Sequence, residues 1–403
     1  MFEKKLIDKL IPRESAIKRT PKWGLVLSGG GTKGAYEVGV WKALQELKIP
    51  LRGISGTSIG ALNAAMFLCL DLKKIEEIYR NIQLTDVLPV TGNIDPNKDV
   101  FDPSNMRVIA KEFFARRGLD NAPLRNMLKT HLDIEKIYSS PLDLGIVTFN
   151  VKTREAFELF KEDIEKDKLI EYLLASANFP IYKTQNVDGK RFLDGGLYDN
   201  MPFNPLIERG YTHLIVADIN GIGQTRKVEN ADKVFLKMIS CSEPLGGTFE
   251  FNRERIEKNM KLGYLDTLKA FHKLFGSYFF FRRPSFNDLL LKFDLDTIWG
   301  LETAAKIYGM DRYYIYQAEE FLDNLENLYD ATERKYMQNS SAGLWNGVGV
   351  DRWKKILAEF GLTALIHSFT KYPVSRTGPL AKAFPDAADA ANAIIALKNY
   401  RKL

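Results

Sequence analysis

Leu51-Arg52-Gly53-Ile54-Ser55-Gly56-Thr57-Ser58-Ile59-Gly60-Ala61-Leu62-Asn63-Ala64-Ala65-Met66 is the stretch that decides the fold. Leu51 to Ser55 is a short apolar run, and an apolar helical segment follows the pentapeptide Gly56-Thr57-Ser58-Ile59-Gly60. Strand, sharp turn and helix in that order form a nucleophile elbow. Glycines flank the serine because a strained turn tolerates no side chain against the neighbouring backbone, and the helix places its N-terminal dipole beneath Ser58 Oγ. Alone, the pentapeptide is a weak signal, equally at home in a tight turn whose glycines serve packing. Its surroundings have to decide.

Upstream, Trp23 to Leu27 is another apolar run, ending in Ser28-Gly29-Gly30-Gly31-Thr32-Lys33-Gly34. A helix is expected from Ala35 to Leu47, with Val40, Leu44 and Leu47 on one face. Strand, helix, strand, helix with short links is the parallel α/β pattern, which places ligands at the carboxyl ends of the strands. Further on, Pro, Asn, Asp and Arg accumulate from Asn81 to Leu124, which reads as a loop region over one face. Asp143 to Asn150 reads as a buried strand. Asn186 to Leu193 reads as a hairpin turning at Asp188-Gly189, which delivers Asp194-Gly195-Gly196 at its end. His213 to Ile219 is a further strand, and beyond Glu250 the pattern is helical.

The glycine loop admits two chemistries. Gly29, Gly31 and Gly34 satisfy G-x-G-x-x-G, the dinucleotide fingerprint, but that site also needs a carboxylate at the end of the second strand, where Ile54-Ser55 stands. A P-loop needs Gly-Lys-Ser/Thr, whereas Gly34 is followed by Ala35-Tyr36. What remains is a set of unhindered N–H groups at a helix start, suited to any anion, a tetrahedral oxyanion included. Lys33 adds a positive charge nearby unless it faces solvent. The loop turns the pentapeptide into a candidate acyl-transfer site.

A serine needs a base. The order Ser58, Asp194, His213 fits a conventional triad, but His213 lies inside an expected strand, where histidines are usually satisfied core residues. His131, His272 and His367 have no supporting motif. Asp194, on a tight turn after a strand, is the better-placed acceptor, and burial would raise its basicity.

At this point the chain resembles a known family, the patatin-like phospholipases of bacterial type. The resemblance rests on Gly29 to Gly34, Gly56 to Gly60 and Asp194-Gly195-Gly196 in that order, with Ala175-Ser176-Ala177-Asn178-Phe179-Pro180 similar to the family's Ala-Ser-x-x-x-Pro segment. It also includes Ser242 to Gly246 and Gly263 to Thr267, and covers roughly Lys22 to Ala270. It implies a three-layer α/β sandwich with a mostly parallel central sheet flanked by helices, plus a C-terminal helical region. Ser58 would be the nucleophile and Asp194 the general base of a dyad, with the Gly29, Gly30 and Gly31 amides as oxyanion hole. Lys33, Gly34, Gly56, Gly60, Gly195 and Gly196 would support them. The implied reaction is hydrolysis of phospholipid or other acyl-lipid esters, phospholipase A- or lysophospholipase-like, with no metal and no cofactor. Lys33 stands where many members carry Arg, which removes any bidentate role there. Alternatives are a broad carboxylesterase or triacylglycerol lipase with the same dyad, a dinucleotide- or anion-binding protein, and a non-catalytic membrane scaffold.

Composition sets the outer limits. The 403 residues are 45% hydrophobic and 27% charged with a formal net charge of +6, a globular balance rather than a disordered or fibrous one. That excess falls short of a nucleic-acid footprint, and no nucleic-acid-binding motif is present. Cys69 and Cys241 read as reduced, buried thiols, too few for a disulfide framework or zinc site. With no signal peptide and no spanning run, the expectation is a cytoplasmic protein, at most peripheral to a membrane; its oligomeric state is open. The expected division is an N-terminal arm over 1–21, a catalytic domain over 22–275 and a helical cap over 276–403. Within Phe251 to Arg283, eight Lys/Arg face three Asp/Glu. Phe271, Leu274, Phe275, Tyr278 and Phe279 there fall at i, i+3, i+4, i+7 and i+8, a helical stripe suited to core packing or a lid more than to a bilayer interface.

Overall fold

The computed structural model describes residues 21–90, 94–95, 98–339, 350–375 and 377–402. All of the expected N-terminal arm except Pro21 lies outside the described residues. Contacts divide the chain into two compact units, one up to Ala270 and one from Phe271.

The first unit is a mixed central sheet flanked by helices. Strand β1 (Trp23–Leu27) leads into helix α1 (Ala35–Glu46), then β2 (Leu51–Thr57), α2 (Ile59–Cys69) and α3 (Leu72–Asn81). After α4 (Pro103–Arg116), α5 (Ala122–His131) and α6 (Ile134–Ser139) come β3 (Asp143–Asn150), β4 (Glu155–Phe160) and α7 (Leu169–Ser176). The unit continues with β5 (Gln185–Val187), β6 (Lys190–Asp194), α8 (Asn204–Glu208), β7 (His213–Asp218), β8 (Phe235–Ser240) and α9 (Arg253–Ala270). The ladders β8–β7, β7–β1, β1–β2 and β2–β3 are parallel, whereas β3–β4, β3–β6 and β5–β6 are antiparallel. Strand alternation sends Val26, Leu214 and Val216 to one face, where they meet Phe203, Leu206 and Tyr211. Leu27 points to the other face, under α2: a Cβ on Gly60 would stand 3.0 Å from the Leu27 Cβ.

One strand organises the rest. Along β3, Gly53 to Thr57 of β2 pair with Asp143 to Val147, and Phe192 to Asp194 of β6 pair with Asn150 to Thr148. β4 pairs with Gly145 to Asn150 and so occupies the opposite edge throughout. A strand has two edges, so β2 and β6 must share the remaining one end to end. They run toward each other and stop at neighbouring rungs, Thr57 beside Val147 and Asp194 beside Thr148.

Two features differ from the sequence expectations. Residues from Asn81 to Leu124 are not simply loop: α4 crosses them, started by Asp102, whose carboxylate caps the Ser104 N–H at 2.9 Å, and by Pro103 in the first turn. Proline at that position starts a helix, because the missing N–H would be unpaired there anyway. The aromatic stripe beyond Phe271 is not helical. Gly276 has φ 105°, and the buried Glu302 carboxylate takes the N–H groups of Ser277, Tyr278 and Phe279 at 2.9, 2.6 and 2.7 Å. A carboxylate collecting three successive amides leaves none for a helix.

The second unit is helical, with a two-stranded parallel ribbon of β9 (Phe280–Phe281) and β10 (Ile315–Tyr316). Its helices are α10 (Arg283–Lys292), α11 (Leu295–Ile307), α12 (Ala318–Asn339), α13 (Val350–Lys371), α14 (Pro379–Ala383) and α15 (Pro385–Tyr400). Phe279 and Phe281 are fully buried with Phe321, Phe369 and Ile394. These aromatics belong to the core, not to a bilayer surface. Cys69 and Cys241 are both free, the first buried and the second half-buried.

The hairpin and the elbow use glycine for different reasons. At the β5–β6 turn, Asp188 and Gly189 take φ 50° and 75°, and a Cβ on Gly189 meets nothing within 4 Å. At Gly56 a Cβ would lie 2.3 Å from the Gly60 carbonyl carbon. In urea melts Gly189→Ala should therefore cost only about 1 kcal/mol of left-handed strain. Gly56→Ala should cost about 3 kcal/mol or more. Equal costs would show that the elbow relaxes freely.

Candidate active site

Ser58 follows β2 as the residue before α2, with φ 55° and ψ −124°. A non-glycine side chain at positive φ is uncommon and costs free energy, so the surroundings must hold it there. They do so through the backbone. The Ser58 N–H donates to Ser176 Oγ at 3.0 Å, and that hydroxyl donates to the Val147 carbonyl at 2.6 Å. Thr57 Oγ1 donates to the Asp199 carbonyl at 2.7 Å.

Asp194 arrives from the other side. Its N–H donates to the Asn178 carbonyl at 3.0 Å, and Asn178 Nδ2 donates to the Phe192 carbonyl at 3.1 Å. Ser176 and Asn178, two residues apart, thus hold both strand ends. The resemblance marks this Ala-Ser-x-x-x-Pro segment without giving it a role; its signal in the sequence is a pair of short polar residues, Ser176 and Asn178, amid apolar neighbours. The Asp194 carboxylate is 6% exposed and accepts the Gly196 N–H at 2.8 Å. Burial pushes the carboxyl up from its ordinary 3.8 to about 6, while the Gly196 N–H and a hydrogen bond from the Ser58 side chain pull it back. Gly195 packs with no room for a side chain, since its Cβ would stand 2.2 Å from the Val147 carbonyl oxygen.

The glycine loop closes over the same place. A Cβ on Gly29 would lie 3.2 Å from Ser58 Cβ. Gly31 has φ 61° and sits against the Thr248 carbonyl, which takes the Thr32 N–H at 2.9 Å. Gly34 packs against Ile59, and its carbonyl accepts from Asn63 Nδ2 at 3.0 Å. The Gly29 N–H is already donated to the Asn200 carbonyl at 3.2 Å. Lys33 turns away: its Nζ donates to the Asn220 carbonyl at 3.1 Å, outside the cavity that Ser58 lines.

That cavity, near 260 Å³, brings Ser58, Asp194, Gly29, Gly30, Gly31 and Gly196 together. The rest of its wall is dominated by apolar side chains such as Leu62, Met66, Phe179 and Phe249, and Asp194 is the one Asp, Glu, Lys, Arg or His among its lining residues. His213 is buried between the rings of Trp23 and Phe235, at the β1 end opposite the glycine loop. Four residues of β1 alone separate those ends by roughly 13 Å, too far for a triad. Among the described residues no cluster of His, Cys, Asp and Glu could hold a metal ion, and no helix is long and apolar enough to cross a membrane.

A strained serine between strand and helix, a buried carboxylate on the facing strand end and a glycine loop above them stand together at the carboxyl end of β2 in an α/β fold. Residues 25–207 match the family model of the patatin-like phospholipases. Lysophospholipase NTE1 of Cryptococcus neoformans var. neoformans serotype D is 27% identical over 213 residues, 52% of this chain and 12% of that protein. Neuropathy target esterase sws of Drosophila melanogaster is 26% identical over 220 residues, 52% of this chain and 14% of its own length. The chain therefore spans a small fraction of the curated relatives it matches. Among solved structures, VipD from Legionella pneumophila aligns over 96% of this chain and 92% of its own at 16% identity, with a TM-score of 0.41.

The raised carboxyl has a consequence for stability. Its folded pKa lies above the unfolded value, so the folded protein holds the proton more tightly, and stability falls as pH rises from about 4 to about 6. Above that window the ionised Asp194 is a standing cost of up to about 3 kcal/mol. Asp194→Asn removes the charge and keeps an acceptor for Gly196. In denaturant melts at pH 8 it should be more stable than the parent protein, with the advantage gone at pH 4. A variant less stable at pH 8 would contradict this account of Asp194.

Proposed function

We propose that this protein is a serine acyl hydrolase that cleaves acyl esters of phospholipids or related lipids through an acyl-enzyme on Ser58, with Asp194 as general base. The observation that carries the proposal is the pairing of a strained serine with the one carboxylate among the lining residues of a predominantly apolar cavity. An apolar wall suits an acyl chain; a dinucleotide pyrophosphate would find no cation in it, which leaves the dinucleotide reading of the glycine loop without support. Lysophospholipase and esterase names among the relatives agree with an ester substrate.

In the proposed reaction Ser58 Oγ attacks the ester carbonyl carbon as its proton passes to Asp194. The oxyanion is met by the Gly30 and Gly31 N–H groups, Gly29 being engaged elsewhere. The tetrahedral intermediate expels the alkoxide, which takes the proton from Asp194. A water then attacks the acyl-enzyme, gives its proton to Asp194 and releases the fatty acid as Ser58 regains its hydrogen. With a pKa of about 6 the carboxylate is a stronger base than a surface aspartate yet remains mostly ionised at pH 7.

Ser58→Ala should lower hydrolysis of phospholipid and p-nitrophenyl esters by at least about 10⁴-fold and abolish labelling by a fluorophosphonate. In the parent protein kcat/KM should fall below about pH 6 as Asp194 gains its proton. Undiminished activity in Ser58→Ala would refute the proposal; a flat acid limb would remove Asp194 from it.

Approach to a lipid surface is proposed at the cavity rim, where Leu197 is 43% and Ile222 75% exposed. The double change Leu197→Asp and Ile222→Asp should reduce hydrolysis of phospholipid vesicles by about 10-fold or more while leaving a soluble short-chain ester within about 3-fold. Equal loss on both substrates would place these residues in the site itself rather than at a docking rim.

A further inference from the structure

One polar side chain in the cavity wall has no part in the mechanism above. Asn200 is 4% exposed and lines the cavity. It grips Gly29 twice. Its carbonyl accepts the Gly29 N–H at 3.2 Å, and its side-chain Nδ2 donates to the Gly29 carbonyl at 3.2 Å. The other amide atom, Oδ1, is buried without a hydrogen-bond partner among the described residues. It packs 3.0 Å from the place a Cβ on Gly196 would occupy and 2.4 Å from that on Gly29. Its backbone N–H donates to the Gln224 carbonyl at 2.6 Å, which anchors Asn200 itself. One residue therefore touches the glycine loop and the Asp194 turn together.

The geometry of the peptide bond gives this grip a direction. All peptide bonds among the described residues are trans. In a trans peptide the carbonyl of one residue and the N–H of the next point in opposite directions. Tying the Gly29 carbonyl to Asn200 Nδ2 thus sets the direction of the Gly30 N–H, although Asn200 never touches it. Glycine has no Cβ to restrict rotation of the Gly29–Gly30 peptide, and the close packing of the Gly29 carbonyl on Gly221, where a Cβ would stand 1.6 Å from its oxygen, limits its space without aiming a donor at it. Released from Nδ2, that peptide loses the hydrogen bond that fixes its direction, and an oxyanion donor that turns is lost to the transition state.

We propose that Asn200 is the positioning residue of the oxyanion hole: it fixes the Gly29–Gly30 peptide so that the Gly30 N–H is aimed before substrate arrives. This rests on the acyl-hydrolase reading of the Ser58 site. Donors of this kind act on charge that exists only in the transition state, so their loss lowers kcat and leaves KM nearly unchanged. Asn200 carries no proton in the reaction, so its loss leaves the acid limb of the pH profile in place.

The test uses Asn200→Ala and Asn200→Leu in the full chain, the second keeping most of the side-chain volume without the donor. Each is assayed with a p-nitrophenyl ester and with an alkyl trifluoromethyl ketone, whose adduct with Ser58 carries an oxyanion. Expected is a fall in kcat of about 10²-fold, KM within about 3-fold, and inhibition by the ketone weakened by the same factor as kcat/KM. If Asn200→Ala does not fold, Asn200→Leu carries the comparison. A kcat within about 3-fold of the parent, a change confined to KM, or undiminished inhibition by the ketone would overturn the proposal. Failure of the underlying reading looks different: Ser58→Ala would keep the parent's activity, and the parent itself would ignore the ketone.

Discussion

The arrangement of this site depends on one edge of one strand. β4 covers the far edge of β3, so β2 and β6 are left to share the near one, and they fill it from opposite ends. Where they meet, neither can continue. The chain after Thr57 must turn away into a helix, and the chain after Asp194 must turn into Gly195 and Gly196. The serine and the aspartate come together because one follows the last residue of β2 and the other is the last residue of β6. No loop has to find the other across solvent, which is why two short strands give a geometry that a pair of flexible loops would not hold.

A head-on junction leaves backbone groups of both strands without ladder partners, in a largely buried region. Such groups must be paired from elsewhere. Ser176 and Asn178 supply the partners, one for the Ser58 N–H and one for the Asp194 N–H. The same economy appears at the loop above, where Asn200 and Thr248 take groups of Gly29 and Thr32. Two side chains, Ser176 and Asn200, and the carbonyls of Asn178, Asn200 and Thr248 thus serve the backbone of the junction and the loop, and the bond to the Ser58 N–H helps to hold its strained φ.

Much of this was legible in the sequence, for reasons that differ by residue. Gly56, Ser58 and Gly60 could be read because a turn with no room for side chains writes glycines at fixed spacing. Asp194 could be read because a hairpin signal, Asp188-Gly189, fixed where its strand would end. The partition of the glycine loop was not legible. Nothing in Gly29-Gly30-Gly31 says that the first amide is taken by Asn200, 171 residues away, or that Lys33 turns to Asn220. The stripe from Phe271 to Phe279 misled because its spacing is helical, and only the distant Glu302 decides that those amides go to a carboxylate. Local period is visible in a sequence; competition for backbone groups by a remote side chain is not. The helix at Pro103 is hard to read for a milder reason: a proline that starts a helix looks in sequence like one that sits in a loop.

Burial of Asp194, the proposed base, also limits how apolar the cavity can become. Dry walls favour an acyl chain and strengthen every donor aimed at the oxyanion. The same dryness raises the carboxyl, and a chain filling the cavity would remove still more water from it and raise it further. A base pushed well past neutrality would be protonated when the substrate is bound and could not accept the serine proton. Two groups oppose that drift, the Gly196 N–H at 2.8 Å and the Ser58 hydroxyl. In the proposed reaction the second is given up as Ser58 attacks, whereas the first is a backbone group that keeps its place beside the carboxylate. On that proposal the glycine after Asp194-Gly195 takes part in the chemistry: its N–H is the fixed counterweight that would keep a buried aspartate ionised enough to act.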